Sequence, residues 1–338
     1  MSTVVLYVQP QGGGWGPITA MARLAARLLD ADLVTLDDAP RPWWTRVAAL
    51  GPRLRGADAL LVVAANPEHL AWAATVPGIR HRFGTVVGWV IDCWWTDRIP
   101  LAVVRGHLYD RLLVTEQEVV GEWARRSGLP VEWLPLGADV LAAVDRTRAV
   151  QGRTVDLQRV GRQAPAWEGD DVISTLCRQR GLSYGARPPF GDTPDRSYAN
   201  VLDAYGRAKA VLAFTNLASP AAYTHPTREY VTSRWLDALA HGALVAGRRP
   251  REQGSDRLLW DGATLEVPED DPASGLDLLA ATLADWTPEV ARDLQREALK
   301  RLDWRLRLRS VAEILGVHAC PLDAETARLR QIQASFQE

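Results

Sequence analysis

Two carboxylates, Glu229 and Asp237, stand eight positions apart with Arg234 between them, a pattern able to hold an anion and receive hydroxyl groups. The stretch that carries them runs from His225 to Gly247. Thr232 and Ser233 are residue types that cap helix starts, Trp235, Leu236, Leu239 and Ala240 recur at helical spacing, and Gly242 supplies a stop before a short apolar strand. A loop therefore feeds a short helix, and the helix feeds a strand. The first turn of such a helix leaves N–H groups unbonded and carries partial positive charge, so the turn at Thr232, Ser233 and Arg234 suits a diphosphate. At about 100° per residue Asp237 falls roughly 130° from the centre of the apolar stripe, which predicts that it flanks the core without entering it. The rival reading takes Arg234–Asp237 and Asp237–His241 as i,i+3 and i,i+4 pairs that decorate a surface helix.

Other residues could complete such a site. Asp92 follows the apolar run Thr85–Ile91, and in open α/β sheets ligands bind at the carboxyl ends of strands. It could act as general base or hydrogen-bond acceptor for a hydroxyl, or merely cap a helix. Gly161-Arg162 follows the run Val155–Val160, where a guanidinium can pair two phosphate oxygens; the alternative is a surface turn. Gln11-Gly12-Gly13-Gly14-Trp15-Gly16-Pro17 joins the run 3–8 to the helical pattern Met21, Leu24, Ala25, Leu28 and Leu29. Gly13 and Gly14 let a ligand approach the backbone closely, although the spacing matches neither the dinucleotide fingerprint nor the P-loop, and a tight turn would look the same. Of 14 tryptophans, Trp43-Trp44 and Trp94-Trp95 are adjacent pairs, so at least one ring of each is expected exposed or lining a cleft, with a face for an apolar or sugar surface. His69 reads as a cap or surface residue and His107 as a boundary residue. Asp30-Ala31-Asp32 reads as a surface turn, and no His/Glu set has metal spacing.

These residues need strands and helices to position them. Runs 3–8, Leu33–Leu36, Ala59–Ala64, Thr85–Ile91, Tyr109–Val114 and Val131–Leu134 alternate with helical stretches around Val47–Leu54, Glu68–Thr75 and Glu116–Arg126. After a polar connector at Leu141–Thr154, strands follow at Val155–Val160, Leu182–Gly185, Ala210–Phe214 and Ala263–Val267. Helices fall at Asp171–Arg180, Tyr198–Ala208, Pro272–Asp285 and Pro288–Leu302, and a polar loop at Thr215–Arg228. Short strands apolar on both sides and separated by helices make parallel sheets, and 338 residues suit two domains. A net charge of −2 gives no electrostatic argument for nucleic acid or anionic membrane. Cys93, Cys177 and Cys320 are scattered without a CxxC, which excludes a disulfide framework or cysteine zinc site and suits a reducing cytoplasm. The chain runs straight into Val4–Val8 without a charged leader, and no apolar run approaches about 18 residues, so a soluble, cytoplasmic protein is expected.

The acid, seven intervening residues, acid, then Ala238-Leu239-Ala240-His241-Gly242-Ala243-Leu244-Val245 resembles the donor-site signature of retaining, two-domain (GT-B) glycosyltransferases. Thr232 to Gly242 resembles the CgeB-like branch of that superfamily (glycosyltransferase family 1/4-type), where Glu is usual at the place of Asp237. Leu134-Pro135-Leu136-Gly137-Ala138-Asp139 resembles the passage from acceptor to donor domain, and Leu302–Arg309 the closing helix. The resemblance implies two Rossmann-like doubly wound domains facing a cleft: an acceptor domain at 1–139, a donor domain at 140–316, and a helical tail at 317–338 packing near the first. It implies transfer of a sugar from a nucleotide-diphosphate sugar, such as a UDP-sugar, to an acceptor hydroxyl, with retention and with neither metal nor cofactor. By resemblance Glu229 meets the sugar hydroxyls and Asp237 the ribose, while Arg162, Thr232, Ser233 and Arg234 hold the diphosphate. The glycine loop, with Gly13 and Gly14, is assigned to donor phosphates or acceptor. Asp92 would serve as base, and Trp15, Trp94 and Trp95 as acceptor contacts. The family's lysine after Arg162 is missing, Ala164-Pro165-Ala166-Trp167-Glu168 standing there instead, so Arg228, Arg234 or the helix dipole must carry more charge. The acceptor, whether small molecule, glycan or modified nucleic acid, stays open. So do two other readings: a non-catalytic sugar-nucleotide-binding subunit and a GT-B-type sugar-nucleotide epimerase.

Overall fold

A strand apolar on both faces has to be covered on both, and β1 (Thr3–Gln9) is buried from Thr3 through Val8. A computed structural model describes residues 2–40, 42–148 and 152–336, with the backbone alone at residues 13 and 148. The chain divides into two compact units, Met1–Pro135 with Arg305–Arg328, and Leu136–Trp304 with Leu329–Glu338.

In the first unit β1 is joined by β2 (Asp32–Asp37), β3 (Ala57–Ala64), β4 (Phe83–Val90), β5 (Arg111–Val114) and β6 (Val131–Trp133). All pair in parallel, in the order β2-β1-β3-β4-β5-β6. The order reverses between β1 and β3, so the loops after these two strands diverge and leave a crevice at their carboxyl ends. The helices are α1 (Gly16–Leu28), α2 (Trp43–Leu50), α3 (Leu70–Ala74), α4 (Leu101–Arg105) and α5 (Val120–Ser127). α1 turns Ile18, Met21, Ala22, Leu24, Ala25 and Leu28 inward, the 3.6-residue spacing its sequence carries. β5 starts later than Tyr109, because that residue serves as packing: it is 2% exposed and its hydroxyl donates to the Leu70 carbonyl at 2.6 Å. The expected helix at Glu68–Thr75 is a 3-10 turn, Pro67–His69, followed by α3.

The second unit holds β7 (Val155–Arg159), β8 (Tyr184–Gly185), β9 (Ala208–Leu212), β10 (Leu244–Gly247) and β11 (Thr264–Glu266), parallel in the order β11-β10-β9-β7-β8. Its helices are α6 (Val140–Arg148), α7 (Asp170–Gln179), α8 (Pro194–Arg207), α9 (Ser233–Ala240), α10 (Ser255–Leu258), α11 (Pro272–Ala284) and α12 (Pro288–Arg301). The stretch read as a connector at Leu141–Thr154 is helical up to 148, while residues 149–151 lie outside the described residues. What local reading missed is Asp303, fully buried and accepting the N–H groups of Val140 and Leu141 at 3.1 and 3.2 Å. α8 likewise begins four residues before Tyr198, because Thr193 accepts the Arg196 N–H and Pro194 opens the first turn. β9 starts at Ala208 and ends at Leu212, two residues before Phe214.

α13 (Trp304–Leu315) and α14 (Cys320–Ser335) close the chain, and Arg305–Arg328 folds with the first unit. There the buried Arg305 donates through Nε and Nη2 to Glu325 Oε2, and Arg27 of α1 reaches Glu325 Oε1 at 3.5 Å. Among the described residues no helix is long and apolar enough to cross a membrane.

Candidate active site

In the second unit three adjacent strands, β7, β9 and β10, send their carboxyl-end loops to one edge of the sheet. The turn after β7 holds Gly161 at φ 70, a conformation glycine adopts without strain, and a Cβ there would stand 3.2 Å from the Arg234 guanidinium. Arg234 donates through Nη1 to the Arg162 carbonyl at 2.8 Å, and burial lowers its pKa. It thus props the turn that carries Arg162. The Arg162 side chain donates through Nε to the Ser219 carbonyl at 2.6 Å and through Nη1 to the Tyr223 hydroxyl, lying 5.1 Å above that exposed ring. Neutral oxygens hold a charge that an anion would hold more strongly.

The loop after β9 is stapled by Asn216, whose amide donates to the carbonyls of His225 and Arg228 at 2.9 Å each. His225 Nδ1 in turn accepts the N–H groups of Thr227 and Arg228. Sequence reasoning missed Asn216, though a polar pair closing a buried strand was a readable signal. The loop delivers Glu229. Its Oε2 accepts the Arg251 N–H at 2.8 Å, from the loop after β10, while Oε1 is buried with no hydrogen-bond partner among the described residues. An unanswered buried carboxylate oxygen is costly, and a ligand hydroxyl would answer it. Three residues on, Thr232 starts α9 without a side-chain capping bond, and Ser233 and Arg234 form the first turn. Its N–H groups face an anion's needs.

Asp237 departs from expectation. It is 4% exposed, because α9 packs against α6, α8 and α12 and its polar face is covered too. The Tyr198 hydroxyl donates to Asp237 Oδ2 at 3.0 Å. Burial raises the carboxyl to about 7 despite that bond. Tyr198 lies on α8, too far along the chain for spacing to reveal. The surface-pair reading fails as well: Arg234 bonds a backbone carbonyl, and His241 Nδ1 lies 2.7 Å from the Asp237 carbonyl oxygen, not its carboxylate. Burial lowers His241 to about 4. The helix stops in a Schellman turn, with Gly242 at φ 73, Gly242 N–H bonding the Leu239 carbonyl and Ala243 N–H that of Ala238.

In the first unit the loop after β1 passes through Gly12 at φ 102 into the 3-10 turn Gly13–Trp15, which leads into α1. A Cβ at Gly14 would meet open space. Trp15 is half-buried. Asp92, just past β4, is half-buried; its N–H bonds the Ala65 carbonyl at 2.8 Å, and burial alone pushes its carboxyl up to about 8. It caps no helix, since the next turn, Thr96–Arg98, starts from Trp95. Trp94 is 6% exposed, a packing group rather than the acceptor platform expected, whereas Trp95 keeps a partly open ring with the Arg98 guanidinium 3.7 Å away. Trp43 and Trp44 are both exposed. His69 does stand at the cap position before α3, without a side-chain capping bond, but it is not a surface residue: it is buried, folded inward beside Trp72 by the turn that Pro67 begins. No group of three metal-ligating side chains occurs among the described residues.

No protein-family model matches the chain, and no curated protein matches it in sequence. Among solved structures, a glycosyltransferase from Rickettsia africae ESF-5 superposes with a TM-score of 0.56 at 10% identity, covering 93% of this chain and 98% of that one. MurG from Acinetobacter baumannii gives 0.48 at 10% identity, over 93% and 100% of the two chains, and S. aureus MnaA in a UDP co-structure gives 0.46 at 10%, over 93% and 96%. Two parallel sheets, each reversing order beside its first strand, and the match along nearly the whole chain establish the architecture: this is the two-domain, Rossmann-like GT-B fold of glycosyltransferases.

Proposed function

We propose that this protein is a glycosyltransferase that moves a sugar from a nucleotide-diphosphate sugar, of UDP type, to an acceptor hydroxyl, with retention and without calling on a metal ion. The observation that carries the reading is Glu229 Oε1, a buried carboxylate oxygen with no partner among the described residues, three residues before a helix start that no side chain caps. The second unit binds the donor and the first the acceptor. As the bond from sugar C1 to the diphosphate breaks, its electron pair stays on the phosphate oxygen. Arg162 and the N–H groups of the first turn at Thr232, Ser233 and Arg234 meet that growing charge. The acceptor oxygen bonds C1 from the same face that the diphosphate leaves, as retention in a single step requires, and its proton passes to the Asp92 carboxylate, a group whose raised pKa suits proton exchange. Glu229 Oε1 takes a sugar hydroxyl, and Asp237, with Oδ2 engaged by Tyr198, offers Oδ1 to the ribose. Gly13 and Gly14 give phosphate or acceptor an unhindered backbone, and Trp15 and Trp95 line the acceptor's side. The free thiols Cys93, Cys177 and Cys320 fit a reducing compartment such as the cytoplasm.

A mass-resolved binding screen of nucleotide sugars tests this. At least one donor should bind, Arg162→Ala should weaken it about 10- to 100-fold, and Glu229→Ala should weaken it about tenfold while abolishing transfer. Undiminished donor binding in both variants would refute the assignment.

A further inference from the structure

Asn66 and His69 lie just beyond β3, and each presents a buried polar atom that nothing in the described chain answers. Asn66 Oδ1 and His69 Nδ1 are enclosed and without a hydrogen-bond partner, as is Nε of Arg46 on α2. The three share one neighbourhood. Asn66 Nδ2 is 3.3 Å from His69 Nε2, the His69 and Trp72 rings meet edge-on at 6.0 Å, and the Arg46 guanidinium lies 4.1 Å over the Trp72 ring. Asp38 Oδ2 stands 3.7 Å from His69 Nε2, and Asp38 Oδ1 is held by the Gln11 N–H at 3.1 Å.

Burial, with Arg46 adding to it, lowers the His69 pKa to about 4, so the ring is neutral at ordinary pH and the Asp38 contact is not an ion pair. The Asn66 amide nitrogen can only donate, so its contact makes Nε2 the acceptor and puts the ring hydrogen on Nδ1. An amide oxygen, an imidazole N–H and a guanidinium N–H then stand together as one acceptor and two donors. Hydroxyl groups, which both donate and accept, match that mixed set; a phosphate, which at neutral pH mainly accepts, would face the amide oxygen and the Asp38 carboxylate. Beside it, Trp43 lies three residues before Arg46 on the same face of α2, 64% exposed. An open indole face next to hydroxyl-matching groups is the pairing that holds a sugar ring, apolar C–H face on one side and hydroxyls on the other. The location, after β3 at the order reversal, is where such a sheet takes ligands.

We propose that Trp43, Arg46, Asn66 and His69 form a binding site for an uncharged sugar ring and that the acceptor bound there is a glycan. The assignment as acceptor rests on the glycosyl-transfer reading; the sugar site itself does not. The test uses the full chain, labelled in its six histidine rings, with the His69 signals identified from His69→Gln. Cellobiose, chitobiose, mannobiose and inorganic phosphate are titrated separately without donor. At least one disaccharide should shift the His69 ring signals saturably, and Trp43→Ala and Asn66→Ala should each weaken that binding about tenfold. Trp43 is exposed, so its variant carries the test should Asn66→Ala fail to fold. The proposal is overturned if none of the three disaccharides moves those signals, if phosphate alone does, or if affinity is unchanged in the Trp43 variant. Sugar binding here without turnover of any donor leaves the site standing and removes the transfer reading. Transfer to a non-carbohydrate acceptor, at a rate Trp43→Ala leaves untouched, does the reverse.

Discussion

Replacing Asp92 by asparagine tests the claim that this carboxyl is held neutral by its surroundings. Burial moves it from 3.8 to about 8. Between about pH 4 and about pH 8 the unfolded chain gives up the proton while the folded chain keeps it, so stability falls as pH rises through that window and levels off above it. Asparagine does not titrate. The advantage of Asp92→Asn over the parent should therefore be near zero at about pH 4 and grow by about 1.4 kcal/mol per pH unit. Three units, to about pH 7, set a ceiling of about 4 kcal/mol; Asp92 is half-buried, and halving for solvent access leaves about 2 kcal/mol. Hydrogen exchange at the amides of β4 reads this within the first unit, whatever the order in which the two units unfold. The same variant should lose about 100-fold or more in kcat/KM, while the parent's activity rises with pH toward a midpoint near 8. If parent and variant show parallel stability across the window, the carboxyl is not buried as described and its role as proton acceptor loses its basis.

Two further outcomes probe how the site is held. Gly161→Ala places a methyl group at a φ of 70 and against the Arg234 guanidinium, so unfolding should show a loss of about 1–2 kcal/mol and donor titration a weaker Kd. Asp303→Ala leaves the Val140 and Leu141 N–H groups buried without an acceptor; denaturation of the second unit should report a loss of about 1–3 kcal/mol, with the far-ultraviolet signal of α6 melting first.

Much of the architecture was legible because strands such as β1 and β3 are apolar on both faces and helices such as α1 carry a clean 3.6-residue stripe. α6 was hidden because its start is fixed by Asp303, 163 residues away from Val140. The site divides in the same way. Arg162 follows a strand and Thr232 stands at the cap of a helix, ends that spacing locates, and Glu229 lies in the loop leading to that helix. The burial of Asp237 depends on three helices closing over α9, and its partner Tyr198 comes from another of them, so the angular argument from one helix could not see it. His69 was legible as a cap position but not as a buried one, because a polar residue after an Asn-Pro turn is usually solvated and only the folded turn shows it turned inward.

Arg162 has one more consequence. Its cation rests on a carbonyl of Ser219 and the phenol of Tyr223, a ring 72% exposed to solvent. Any phosphate that captures the guanidinium from these neutral oxygens sets the phenol loose, and so leaves a mark at the surface that it has arrived. On the proposed donor reading Tyr223 would therefore serve as a built-in occupancy gauge: its ring dynamics and its reactivity toward iodination should both rise when a nucleotide sugar is added.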